Sequence, residues 1–478
     1  MTRRSGRFPL CLAVFVIAYT VLGAGAAMVR DDAMTGSTED TALFDHLLWS
    51  TLHGRFAPNL TFGVCQFGVR CSFFVLVLLP FYWLAQDPDT LFVLQSLAIG
   101  LCAVPSFLLA RRWLAHEGAA FLVAVAVVAH PAVLSQNVNQ VHEAQFALPV
   151  LVWAALLFER ERFGPFLVAC AVACLGKENL AAAVFMFGPV AAIQRRKWRW
   201  ILAPSVLATT ILGGFTLFVA PALNPGGERA WHHFLPDGQA HGQGLAALAT
   251  QADEFVRRAL QPGRLAYLGK CILSAGAVLP LLGPLSLLAL PELLVNMTVA
   301  SGSFTVLHYH FSLTVGVFLV LGAAQGIGRL CTWFGGRNLA LCRLGLSGLL
   351  AALAVAGNLF WLDLRPFRKP ARHSTQLAAL ALVPEDPNLS VLAPHGMLSK
   401  LSRRHQLYYL DRRSLHGKDL TAIHVIILDL NGVVAGANRH VAGLMRDGPG
   451  ARSHRAVFEK DGMLVFFRRD IPLSAATS

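Results

Sequence analysis

Apolar runs of about 15 to 22 residues recur along nearly the whole chain, and short clusters of arginine and lysine separate them. About 20 apolar residues in helical conformation cross the hydrocarbon core of a bilayer, where each backbone polar group must be satisfied inside its own segment. The repetition therefore points to a polytopic α-helical membrane protein. Composition agrees: 55% of the 478 residues are hydrophobic and 14% are charged, against about one quarter charged in a soluble domain. Mean hydropathy is +0.55. These values exclude an ordinary soluble enzyme, a disordered chain and a secreted disulfide scaffold.

The formal net charge of +13 resembles a nucleic-acid signature, but the basic residues lie between apolar runs, where they anchor topology. The lipid bilayer, not nucleic acid, is the expected partner. Five of the nine cysteines, Cys11, Cys102, Cys170, Cys174 and Cys271, lie in apolar runs with neither CxxC pairs nor metal-ligand spacing, and read as small hydrophobes. Cys65 and Cys71 fall in an expected extracytoplasmic loop where a disulfide could persist.

Arg3, Arg4 and Arg7 precede an apolar run over 8–29 that is too long for a signal-peptide core, so it reads as an uncleaved anchor with a cytoplasmic N-terminus. The polar stretch over about 30–70 is then an outer loop. In ALFDHLLWSTLHGRF, Leu43, Leu47, Leu48 and Leu52 recur at helical spacing, which predicts an amphipathic helix on the membrane surface. The segment 72–85 is short and contains Pro80, so a re-entrant or interfacial helix is expected. Spans follow near 90–110, 119–135, 146–158, 164–178, 180–193 and 200–221, with Arg111 and Arg112, ERERF and QRRKWR on the cytoplasmic side. A second outer loop covers about 223–265. Residues 266–300 fold back at LLGP as two short spans, and further spans run from near His308 to Arg329 and over 344–362. The total is about 11 transmembrane helices. The tail alternates strand-like runs, LSVLAP, QLYYL, AIHVIILDL and MLVFFRRD, with helical and turn segments, and reads as a small extracytoplasmic α/β domain. The division is thus a membrane domain over 1–362 and a soluble domain over 363–478.

Ionisable groups at membrane depth are functional candidates because they are costly to keep there. Lys177-Glu178-Asn179 sits where one apolar run ends and the next begins. It reads either as a self-neutralising pair at a hairpin or as a site where Lys177 meets a phosphate while Glu178 orients it. A second polar hairpin holds Asn137, Asn139, Gln140, His142, Glu143 and Gln145; interfacial hydrogen bonding, a proton-transfer pair at His142-Glu143 and a metal site are its readings. Two side chains do not make a metal site, so no metal ligands are assigned, and a divalent cation stays open as a cofactor. In the first outer loop Asp40 and Asp45 are five residues apart. Asp40 fits a helix cap or a general base that deprotonates an acceptor hydroxyl. His308, Tyr309 and His310, at the mouth of a late span, fit phosphate or sugar binding, or aromatic-belt anchoring.

FDHLLWSTLHGRF, VLLPFYWL, LFVLQSLAIGLCAVPSFLLARRWL, HPAVLSQNVNQVHEAQFALP, GKENL and HYHFSLTVGVFLVLGAA, in that order and spacing, resemble the bacterial membrane proteins of domain-of-unknown-function family 2079. The resemblance covers nearly the whole chain. That family is in turn distantly similar to the type C (GT-C) glycosyltransferases, which use polyprenyl-phosphate-linked sugars. The resemblance implies a GT-C-like fold in the inner (plasma) membrane and an inverting glycosyltransferase with a polyprenyl-phosphate sugar as its partner. It also implies an acidic base in the first outer loop, matched by Asp40 and Asp45, and it matches His142 and Glu143 to a histidine-acid position. Lys177 and Glu178 match a lysine-acid position. Arg70 and Cys71 stand where the family often carries a histidine, and Asp40-Thr41-Ala42 replaces its D-L-G run. The expected site is Asp40, Asp45, His142 and Glu143 for catalysis, with Lys177, Glu178, Arg70, His308 and His310 for substrate binding. The rival readings are a transporter or binder of a lipid-linked substrate and a non-catalytic membrane scaffold.

Overall fold

The computed structural model describes residues 7–225, 227, 252–307, 311–334, 338–410 and 419–472. Most of the second outer loop, together with His308, Tyr309 and His310, lies outside the described residues.

Among the described residues five helices are long and apolar enough to cross a membrane: Phe8–Asp32, Pro88–Leu114, Trp198–Leu223, Leu313–Trp333 and Leu339–Trp361. Shorter apolar helices, among them Glu143–Glu159 and Phe163–Cys174, pack between them. The chain is a multi-pass membrane protein. Its largest buried cluster joins these helices through leucines, valines and many alanines, which suits lipid, where small residues let helices approach. Gly283 shows how tight the approach is, because a Cβ there would lie 2.0 Å from the carbonyl oxygen of Gly322.

The run expected as one span over 119–135 is broken. Glu117–Ala129 and Pro131–Asn137 meet at 58°, since Pro131 cannot continue the helical ladder. The His130 ring caps the new helix by accepting the Ala132 N–H at 3.2 Å. The break carries Gln136, Asn137, Asn139 and Gln140 sideways into the protein, where all four are buried.

Two other expectations are corrected. The helix Glu39–Leu52 exists, but it is not a surface helix, because Asp45, His46, Leu47 and Leu48 are all buried. Leucine spacing reveals one apolar face and says nothing of what covers the other, which here is the C-terminal domain. Cys65 and Cys71 are free thiols, and Cys71 points its sulfur at the Cys174 carbonyl, 3.6 Å away. The 72–85 segment is a 3-10 turn, Phe73–Leu78, running into the short helix Leu79–Leu84. Phe81, Trp83 and Leu84 are exposed while Tyr82 is buried, as an interfacial element requires.

After the last apolar helix the chain forms a mixed five-stranded sheet of order β2-β1-β3-β5-β4. β1 is Val391–Leu392, β2 Leu407–Tyr408, β3 Val425–Asp429, β4 His454–Lys460 and β5 Met463–Arg468. β1 pairs in parallel with β2 and β3, and β5 is antiparallel to β3 and β4. The four strand-like runs of the sequence become β1, β2, β3 and β5; β4, with a mixed burial pattern, is the strand the sequence did not announce. This sheet docks on the segment 31–46 through residues 395–404. Thr38 Oγ1 donates to the His395 carbonyl at 2.9 Å. Ser399 Oγ donates to Asp31 at 2.8 Å, and Lys400 Nζ lies 2.8 Å from Asp31 and 2.6 Å from Asp32. The C-terminal domain and the 39–52 helix therefore share one face of the membrane domain.

Candidate functional site: a recess where three helices begin

The helices Glu39–Leu52, Glu143–Glu159 and Glu178–Phe185 all start at one recess, each with a glutamate at its first position. Acidic side chains are favoured there because a helix N-terminus carries partial positive charge and unpaired N–H groups. The same property suits three such termini to an anion.

Segment 140–142 runs beside the start of the 39–52 helix and sets the geometry. Gln140 Oε1 accepts the Asp40 backbone N–H at 2.7 Å, and Thr41 Oγ1 accepts the Val141 N–H at 3.2 Å. That alignment brings His142 Nε2 to 3.4 Å from Asp40 Oδ2. Glu143, the next residue, lies 3.1 Å from Lys177 Nζ. The Asp40 side chain keeps 35% of its surface accessible, whereas His142 keeps 4%, so a ligand can reach the carboxyl within a wall of protein. Burial pushes Asp40 up to about 8, helped by neighbouring Glu39 and Glu143 and opposed by Lys177 and Arg70. Burial, then Lys177, holds His142 well below its ordinary range, so its ring is neutral at pH 7.

Lys177 pairs with Glu143, not with the adjacent Glu178 of the hairpin reading. Glu178 Oε1 instead accepts the Cys71 N–H at 2.9 Å and so fixes the backbone beside Arg70, whose charge is felt at Asp40. Asp40, His142, Glu143, Lys177, Glu178 and Arg70 thus come together. Asp45 does not join them. It is fully buried on the other side of its helix, accepting from Tyr82 and from Ser402, each at 2.6 Å. Among the described residues no three His, Cys, Asp or Glu side chains group as metal ligands, and the cation at Glu143 is Lys177.

Sequence reading missed two participants. Glu292, buried in a late apolar helix, accepts from Asn179 Nδ2 and from the Thr314 N–H, each at 3.0 Å; its signal was an unpaired acid inside an apolar run. Glu39 accepts a hydrogen bond from Tyr409 of the C-terminal domain, a contact with no sequence signal.

A recess with one reachable carboxyl, a neutral imidazole, a paired lysine and an arginine can take up a proton and hold an anion. The sequence profile of the predicted membrane protein family DUF2079 matches residues 32–448. No curated protein matches the chain. Among solved structures, ArnT from Cupriavidus metallidurans bound to undecaprenyl phosphate is similar at TM-score 0.60 and 13% identity, over 94% of this chain and 97% of that one. ArnT from the same organism in the apo state is similar at TM-score 0.54 and 14% identity, over 97% and 99%. The likeness shows the fold, that of the type C glycosyltransferases.

Proposed function

We propose that this chain, which belongs to the DUF2079 family of predicted membrane proteins, is a glycosyltransferase that takes a sugar from a polyprenyl-phosphate donor. The observation that carries this reading is the pairing of a reachable Asp40 with His142 at 3.4 Å, beside Lys177 and Arg70, at three converging helix N-termini. A structure of the same fold with undecaprenyl phosphate bound supports a lipid phosphate as the anion.

In this reading Lys177, Arg70 and the helix N-termini hold the donor phosphate and stabilise the charge that grows on it as it leaves. Asp40 takes the proton of the acceptor hydroxyl, whose oxygen forms the new bond to the anomeric carbon while the carbon–phosphate oxygen bond breaks. One base and one direct displacement give inversion at that carbon. His142 orients the Asp40 carboxyl, and Glu143 holds Lys177. Basic clusters at 111–112, 160–162 and 195–199 argue for a cytoplasmic location of the opposite face, which puts this recess and the C-terminal domain outside the inner membrane.

The test is turnover of labelled polyprenyl-phosphate sugars by purified protein, wild type beside Asp40→Ala. Loss of about 10²- to 10⁴-fold is expected for a general base, with membrane insertion unchanged. A fully active Asp40→Ala protein rejects the assignment, and donor binding without turnover in both proteins favours a binder or carrier.

A further inference from the structure

The turn that carries Lys177 is held residue by residue. The Leu175 carbonyl accepts the Phe74 N–H at 2.9 Å, and Gly176 lies so close to the 143–159 helix that a Cβ there would strike Ala147. Lys177 Nζ is 3.1 Å from Glu143, and Glu178 Oε1 accepts the Cys71 N–H at 2.9 Å. These ties lead to the first half of the chain. Asn179 reaches the other way, where its Nδ2 donates at 3.0 Å to Oε1 of Glu292 in the helix Leu290–Thr298.

Glu292 is itself fixed. Its second oxygen, Oε2, accepts the Thr314 N–H at 3.0 Å, in the first turn of the helix that begins at Leu313. A first-turn amide has no partner inside its own helix, and the partial positive charge there favours a carboxylate. Glu292 is buried, so losing either bond leaves a polar group without water or partner. One carboxylate thus joins the start of a late membrane helix to the second residue of the helix Glu178–Phe185, which Lys177 immediately precedes. A lysine stem is long and rotates freely. Where its ammonium stands therefore depends on how firmly its backbone and its partner are held.

We propose that Glu292 is a positioning residue: through Asn179 it fixes the backbone at Lys177, so that the ammonium, paired with Glu143, stands where the recess receives an anion. The proposal rests on the transferase reading for the identity of that anion, a polyprenyl phosphate. The brace itself rests on the hydrogen bonds from Asn179 and Thr314 to the one carboxylate.

The test uses full-length protein in detergent. Asn179→Ala and Glu292→Ala each delete the brace, and their double variant removes both ends. Glu292→Gln keeps it, because the new Oε1 accepts from Thr314 while Nε2 donates to Asn179 Oδ1, which has no hydrogen-bond partner among the described residues. Two quantities are read for each protein: undecaprenyl phosphate affinity, and the rate at which acetic anhydride acetylates Lys177, followed by mass spectrometry. An unfolding temperature certifies the fold. The Lys177 side chain keeps only 12% of its surface accessible, so a loosened turn shows as faster acetylation. The expected result is binding weakened by about tenfold in both alanine variants, with Lys177 acetylated faster. The double variant is no worse than either single one, as for two ends of one interaction, and Glu292→Gln binds no more weakly than wild type. Wild-type acetylation of Lys177 in a folded Glu292→Ala protein overturns the proposal, whatever its affinity. So does a Glu292→Gln protein as impaired as Glu292→Ala, which makes charge and not the brace the cause. Where Glu292→Ala does not fold, Asn179→Ala carries the same comparison, since Glu292 there keeps Thr314. Faster Lys177 acetylation without any loss of undecaprenyl phosphate binding, or with none in wild type, keeps Glu292 as the brace and rejects Lys177 as the cation of a donor phosphate.

Discussion

The Nε2 of His142 stands 3.4 Å from the Oδ2 of Asp40, and because burial keeps the ring neutral the contact sets an uncharged imidazole beside the carboxyl and is not an ion pair. A protonated histidine there would hold Asp40 as a stable carboxylate and weaken it as a base. A neutral one orients the carboxyl and leaves its proton affinity high, near the working pH that general-base catalysis favours.

The rate of transfer should rise with pH toward a midpoint near 8. Burial first, then Glu39, raises Asp40 to about 8, and only the deprotonated carboxyl accepts a proton. Below the midpoint the rate should climb about tenfold per pH unit. Glu39→Gln removes one of the charges that raise Asp40, so its profile should shift to lower pH; an unshifted profile means that another group sets the midpoint.

Lys177→Met should weaken undecaprenyl phosphate binding and also destabilise the protein, since it leaves Glu143 buried without its cation. Breaking such a pair costs about 3 to 5 kcal/mol. The double variant Glu143→Gln with Lys177→Met should regain much of the stability and none of the binding, as read by unfolding temperature and by ligand titration.

Asp45 should make the protein less stable as pH rises. Burial lifts it to about 7 against the lowering effect of the Ser402 and Tyr82 hydrogen bonds, whereas an unfolded aspartate titrates near 4. The folded chain holds this proton more tightly, so the linked stability is complete below about pH 4 and is lost as pH passes through 7. Asp45→Asn should flatten the fall in unfolding temperature between pH 5 and pH 8.

Gly396→Ala should loosen the C-terminal domain from the membrane domain. A Cβ at 396 would lie 2.4 Å from the Met34 carbonyl oxygen and 3.2 Å from that of Gly36. Overpacking of this kind costs about 1 to 3 kcal/mol. Limited proteolysis should release the sheet domain sooner than in wild type, with helical content unchanged.

The multi-pass helical membrane character was legible in the sequence, because a bilayer imposes its thickness on a crossing segment and recurring apolar runs carry that information. Lys177, His142 and Glu143 stood out for the same reason: a charge within or beside an apolar run needs a partner. Tertiary structure alone decided which partner. The spacing that put Lys177 next to Glu178 gave no hint that its ion pair is with Glu143, nor that the Pro131 break turns the 136–142 segment toward Asp40. Asp40 and Asp45 look alike in sequence, little more than a turn apart on the same helix. One faces a recess and the other a serine and a tyrosine of distant segments, because the faces of a helix are told apart only by what packs against them.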